Sequence, residues 1–244
     1  MNKVIVVGDT HGRDNWEKLI NEDFDKFIFI GDYFDSREGI SGDEQIYNFK
    51  NIINFKHNHP EKVVLLIGNH DYHYINDNEH PYSNYQAYKS LEIRRVLNEN
   101  KDKMQMAYSF TINGETFLLT HAGVTKTWCK NNNINIDSKT LSKDINNLWN
   151  SDINAFAFYG FDPYGDSKES SPIWVRPSSF INDSVHGYTF MVGHTTQEKV
   201  TILKHKELVK DSSNINKYVF LDVPDSYVVI ENNEIKTFKF NEKV

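Results

Sequence analysis

The sequence predicts an α/β fold built on parallel strands, and three observations carry that prediction. A short run of apolar residues stops three times at a glycine followed at once by polar residues: 4–7 before Gly8-Asp9-Thr10-His11, 27–30 before Gly31-Asp32, and 63–67 before Gly68-Asn69-His70-Asp71. Helically spaced apolar residues fill the intervals, Trp16, Leu19 and Ile20 in the first and Ile46, Phe49, Ile52, Ile53 and Phe55 in the second. Strand, turn and helix repeating in this order is the pattern of βαβ units, whose strands share one parallel sheet. The turns after such strands collect along one edge, at the carboxyl ends, where ligands bind.

Taken in order, a strand at 3–7 leads to a short helix at 14–20 that Asp14 can cap. A strand at 26–30 leads through Gly31 to Arg37 into a loop, then a helix at 43–56. A strand at 62–67 ends in GNHDYHY, and the polar, aromatic stretch up to Asn84 reads as a loop before a helix at 85–99. Two strands at 106–112 and 116–119 flank Asn113-Gly114, the strongest short hairpin signal. The second of them delivers Thr120-His121-Ala122-Gly123. Helical patterns follow at 124–131 and 138–150. Residues 151–188 are rich in aromatics, Gly, Pro and Ser without a sustained period, and the expectation is an ordered wall over the site. The remainder reads as strands at 189–192, 199–203 and 217–223, and a hairpin of 226–230 with 235–240; the first of these ends in Gly193-His194.

A chain of 244 residues can bury a sizeable core, and one domain over 1–244 is the expected organisation. The net charge of -7, without a basic stripe, argues against a nucleic-acid or anionic-membrane partner. Cys129 is the single cysteine, so an internal disulfide is excluded, and it reads as a small buried apolar residue. The chain enters its first strand after Met1-Asn2-Lys3, with no apolar segment suited to a signal peptide or a membrane span. The expectation is a soluble, cytoplasmic protein.

The polar turns carry Asp, His, Asn and no thiolate, a donor set that suits Mn, Fe or Zn. In order they read GDTHG, GDYFD, GNHD, THAG and GHT. This series resembles the calcineurin-like metallophosphoesterases, which include Ser/Thr protein phosphatases and symmetrical dinucleoside tetraphosphate hydrolases. One such motif is weak evidence, and five in the family's order, across 4–195, are strong. The resemblance implies a four-layer αββα sandwich with mixed central sheets and a site holding two divalent or trivalent metal ions. By motif, Asp9 and His11 bind the first metal, Asp32 bridges both, and Asn69, His121 and His194 complete the second. It further implies in-line attack by a metal-bridging hydroxide, with His70 protonating the leaving oxygen and Asp35 orienting its ring.

The second histidine that many members carry two places after the last motif's is Thr196 here, as in the protein-phosphatase and tetraphosphate-hydrolase branch. That branch places an arginine right after the aspartate of the second motif; this chain has Ser36 and then Arg37. Arg37 from a shifted turn, and Arg176 in PIWVRP, are the candidate phosphate-binding arginines, the guanidinium fork suiting bidentate contact. His57, His59, His80, His186 and His205 read as surface or packing residues, Trp174 as packing, and His73 is left open between site and rim. The leading expectation is a phosphatase acting on phosphorylated protein, the second a hydrolase of dinucleoside polyphosphates in which 156–161 stacks a base. The third is a non-catalytic scaffold, which the intact ligand set disfavours.

Overall fold

The strand and helix patterns resolve into two compact units, Met1–Gln105 with Val223–Val244, and Met106–Asp222. The computed structural model describes residues 3–76, 78–136, 139–159, 162–206 and 215–241. Ser138, Gly160 and Phe161, the last two within the aromatic stretch, lie outside these, as does the side chain of His205.

The first unit contains β1 (Lys3–Val7), β2 (Lys26–Phe29), α1 (Gly42–Asn58), β3 (Val63–Leu66), α2 (Asn69–Ile75), α3 (Ser90–Asn98) and β4 (Met104–Gln105). The second contains β5 (Ala107–Ile112), β6 (Glu115–Thr120), α4 (Lys126–Asn131), α5 (Leu141–Ser151), α6 (Pro177–Asp183), β7 (Thr189–Val192), β8 (Thr201–Lys206) and β9 (Ile215–Phe220). The chain then returns to the first unit with β10 (Ser226–Glu231) and β11 (Glu234–Lys239).

In the first unit the strand order is β11-β10-β1-β2-β3-β4. The four strands β1 to β4 run parallel, as the βαβ reading expects. The sheet is mixed, as the family resemblance implies, because β10 pairs antiparallel with β1 from Lys3 opposite Glu231 to Val7 opposite Tyr227. Residues Val4 to Val6 and Phe27 to Ile30 are wholly buried, which is why these strands read as continuous apolar runs rather than alternating ones. In the second unit the order is β5-β6-β7-β9-β8, with β6, β7 and β9 parallel and β5 and β8 antiparallel at the edges. The β5-β6 turn has Asn113 and Gly114 both at positive φ, 46° and 86°, the conformation that an Asn-Gly pair favours.

Several local expectations are corrected. The segment 14–20 holds a 3-10 turn, Asn15–Leu19, burying Trp16 and Leu19 but leaving Ile20 exposed, and the Asp14 side chain does not cap it. The helix expected at 43–56 runs longer, and Ser41 and Glu44 close its N-terminus with a reciprocal capping box. The stretch expected as a loop after Ile67 begins with a helix, α2, directly at Asn69. The predicted wall at 151–188 contains α6, with Pro177 at its first turn. Among the described residues no helix is long and apolar enough to cross a membrane.

Candidate active site

In the first unit the turns after β1, β2 and β3 are tied to one another by their backbones. The N–H of His11 donates to the carbonyl of Asp32 at 2.7 Å. Asp71, wholly buried on α2, accepts the N–H groups of Asp32 at 2.8 Å, Tyr33 at 2.8 Å and Gly68 at 2.9 Å. Burial and the neighbouring Asp32 carboxylate push the Asp71 carboxyl well above the ordinary carboxylate range. The three N–H donors oppose that push and fix the turns. The close approach requires glycine: a Cβ on Gly68 would stand 2.1 Å from Asp32 Oδ1, and Gly31 sits at φ 110° against the Gly68 backbone.

Four of the motif residues adopt the left-handed backbone region that non-glycine residues seldom occupy: His11 at φ 45°, Asp32 at 53°, Asp35 at 65° and His194 at 63°. Asp and His are among the side chains that tolerate it best. Such conformations cost on the order of 1–3 kcal/mol each and concentrate at functional sites.

Two groups of side chains of metal-ligating type lie in this unit, Asp9/His11/Asp32 and Asp35/His70/His73. In the first, His11 Nδ1 is 2.6 Å from the Phe34 carbonyl oxygen, so Nδ1 carries the proton and donates. Nε2 is left with its lone pair, 3.7 Å from Asp32 Oδ2. That separation is too long for a hydrogen bond. It is the spacing that two donors about 2.0–2.2 Å from one cation leave between them. The other Asp32 oxygen, Oδ1, accepts the His70 N–H at 2.8 Å, which orients the carboxylate. These residues fit a hard divalent cation.

The second group is built differently. His70 Nδ1 and His73 Nε2 each stand 2.8 Å from the same oxygen, Asp35 Oδ2. This is hydrogen-bond distance, and the His70 Nδ1 to Asp35 contact is such a bond, so the group reads as one that holds protons. The Tyr74 hydroxyl donates to Asp35 Oδ1 at 2.6 Å. Burial would raise the Asp35 carboxyl, but the hydrogen bonds from His70 and His73 outweigh it and hold it below the usual range. Burial works against a charged His70; the carboxylates of Asp32 and Asp35 outweigh it and raise its pKa, with the nearby Arg37 cation opposing. Arg37 is exposed and makes no hydrogen bond or ion pair among the described residues.

In the second unit His121 follows β6 and His194 follows β7, and their rings lie 5.2 Å apart between centroids. His194 Nε2 is 3.0 Å from the Trp174 carbonyl oxygen, an arrangement that leaves Nδ1 as the lone-pair nitrogen. Arg176, the N-cap residue of α6, donates from Nε to the Tyr164 carbonyl at 2.8 Å. Its Nη1 reaches the His194 carbonyl at 3.1 Å and Thr195 Oγ1 at 3.0 Å. The guanidinium is thereby fixed against the turn that carries His194. Trp174 is largely buried, edge-on to Phe158 at 4.9 Å and to His194 at 5.7 Å, and it packs.

A model of the calcineurin-like phosphoesterase domain matches residues 2–195. The chain belongs to that family. It is a metal-dependent phosphoesterase with the family's mixed α/β fold of two sheets and helices. Among solved structures it is similar to a cold-active protein tyrosine phosphatase, at 17% identity and a TM-score of 0.58, over 99% of this chain and 77% of that one. It is also similar to a protein serine/threonine phosphatase from Saccharomyces cerevisiae, described as similar to human phosphatase PP5. That pair shares 16% identity at a TM-score of 0.54, over 100% of this chain and 81% of the other. At these identities the likeness speaks to the fold. No curated protein matches the sequence.

Sequence reasoning overlooked two residues of the first unit's site, Asp71 and Tyr74, and left His73 undecided. Asp71 had a signal: an acid three residues after Gly68, where a helix N-terminus accepts one. For His73 and Tyr74 the signal was the start of a helix at Asn69, which would have set both on its second turn.

Proposed function

We propose that the enzyme hydrolyses phosphomonoesters, such as phosphoserine and phosphothreonine in proteins, by direct in-line transfer of the phosphoryl group to water. The observation that carries this reading is the His70-Asp35 pair. With Nδ1–H held by Asp35 at 2.8 Å, the proton on Nε2 is the one His70 can give to a leaving oxygen. Asp9, His11, Asp32, Asn69, His121 and His194 would hold two cations, Mn, Fe or Zn. When bound, these supply a water acidic enough to act as hydroxide at neutral pH.

Arg176, its guanidinium fixed against the turn that carries His194, is the first phosphate contact we assign. Arg37, which makes no hydrogen bond or ion pair among the described residues and is felt electrostatically at His70, is the second phosphate contact. We read both units as one functional domain, since the family model runs across both. We place the protein in the cytoplasm, on the single buried thiol of Cys129.

A second reading, hydrolysis of dinucleoside polyphosphates, is favoured by one feature of the second unit. A cavity of about 410 Å³ is lined by Trp128, Asn131, Asn132, Asn154, Phe158 and Tyr159, with aromatic faces and amide groups suited to a nucleobase. The deciding assay sets the Mn-loaded enzyme on a phosphothreonine peptide and on diadenosine tetraphosphate, with His70→Asn as control. Faster release of phosphate from the peptide, lowered about 10²- to 10⁴-fold by His70→Asn with metal content retained, is expected. Preferential formation of ADP from the dinucleotide moves the assignment to the second reading, and full turnover by His70→Asn removes His70 from the acid role.

A further inference from the structure

We propose that His73 and Tyr74 are positioning residues for the general acid: from the second turn of α2 they hold the Asp35 carboxylate oriented, so that Asp35 in turn fixes His70. The inference rests on the reading of His70 as the acid.

Asp35 is fully buried; its Oδ2 takes the His70 Nδ1 hydrogen bond and lies 2.8 Å from His73 Nε2, and its Oδ1 accepts the Tyr74 hydroxyl. The direction of each proton follows from what lies on the far side of each ring. The Tyr82 N–H donates to His73 Nδ1 at 3.0 Å, so the His73 proton sits on Nε2, facing Asp35. The Gln86 N–H donates to the Tyr74 oxygen at 2.7 Å, so the hydroxyl proton turns to Asp35. Burial and the Asp35 charge raise the Tyr74 phenol, which keeps it a donor. The ring planes are set by stacking, His73 on Tyr82 at 4.7 Å and Tyr74 on Tyr85 at 4.8 Å.

A buried carboxylate with one donor would be free to rotate or to take up a proton. With the Tyr74 hydroxyl and the His73 Nε2 edge also against it, it is held ionised and in one orientation. The His70 ring, whose Nδ1–H is held by Asp35, is then aimed by residues that never touch the substrate. Tyr82 and Gln86 extend the frame into the segment after α2, making the acid's aim depend on that segment's backbone.

The test compares two substrates that differ in their need for a proton. p-Nitrophenyl phosphate expels a stable anion unaided, whereas phenyl phosphate expels a phenolate whose conjugate acid, like the tyrosine side chain, has a pKa of about 10. Tyr74→Phe keeps the stacked ring and removes only the donor; His73→Phe removes the other. Each is expected to lower kcat on phenyl phosphate about tenfold and on p-nitrophenyl phosphate less than about threefold. KM for both substrates and metal content should hold, and His73→Gln, whose amide can donate, should recover part of the loss.

Equal losses on the two substrates, or none on either, would overturn the proposal, since lost packing is indifferent to the leaving group. His70→Asn runs alongside. If it shows no selectivity between the substrates, the acid reading itself falls and the positioning role with it. If it is selective while the Tyr74 and His73 variants are not, only the positioning role falls.

Discussion

The two carboxylate-histidine clusters of the first unit use the same residue types in contrasting geometries. Around Asp32 the histidine nitrogen stands 3.7 Å off; around Asp35 two of them stand at 2.8 Å. What differs is the backbone group behind each ring. A carbonyl behind His11, that of Phe34, takes the ring's proton and leaves a lone pair facing the acid. An N–H behind His73, that of Tyr82, takes the lone pair and leaves a proton facing the acid. An imidazole is made a ligand or a donor by its outer partner. The backbone, more than the side-chain inventory, decides which cluster suits a cation.

The largest effect expected from this contrast separates the clusters outright. Asp32→Ala should lose bound metal and lower turnover by about three orders of magnitude, the scale of several kcal/mol of charge stabilisation. Asp35→Asn should keep its metal and lose about 10²-fold in turnover, in the range of an impaired general acid. Metal per chain measured by elemental analysis of the two purified variants is the readout. If Asp35→Asn loses as much metal as Asp32→Ala, the distinction drawn from 3.7 Å and 2.8 Å collapses.

A smaller effect probes how rigidly the backbone holds the first cluster. Gly68→Ala would put a methyl 2.1 Å from Asp32 Oδ1 and 2.6 Å from its backbone nitrogen, so one of the two turns must move. Overpacking of this kind costs about 1–3 kcal/mol, readable as a lower midpoint in urea unfolding, accompanied by weaker metal binding. Unchanged stability and affinity would mean that the turns after β2 and β3 are not braced as tightly as the Asp71 hydrogen bonds indicate.

Much of this contrast was hidden in the sequence for identifiable reasons. Gly8-Asp9, Gly31-Asp32 and Gly68-Asn69 were legible because β-branched and aromatic runs end abruptly there, and the Asn113-Gly114 turn because its chemistry is local. The helix α2 was not, since Asn, His, Asp and Tyr are poor helix formers; it is anchored by tertiary bonds to Asp71 that no local pattern encodes. The pairing of β1 with β10, more than 200 residues apart in the chain, was equally out of reach. It gives the sheet the mixed character that the family resemblance implied and the local strand pattern did not. Whether a histidine faces its acid with a proton or a lone pair depends on Phe34 and Tyr82 backbone groups, about which the side-chain sequence says nothing.

The smallest expected effect takes the comparison to a carboxylate outside both clusters, in the second unit. Glu115, at the start of β6, accepts from Lys217 Nζ on β9 at 2.7 Å and from the Thr189 hydroxyl on β7, bridging three neighbouring strands of the second sheet. Burial raises its carboxyl, and the Lys217 and Thr189 hydrogen bonds outweigh that, holding it below the ordinary range. Both partners are partly exposed, so solvent screening limits Glu115→Gln to a loss of about 0.2–1 kcal/mol. A pKa depressed by folding gives stability that is present above the unfolded value, about 4.3. It is lost as pH falls through the folded value. The stability difference between wild type and Glu115→Gln should therefore be constant near neutrality and shrink below about pH 4, as measured by urea unfolding across pH. A gap that persists unchanged into acid would show that the Glu115 carboxylate contributes through shape rather than charge, unlike either cluster of the first unit.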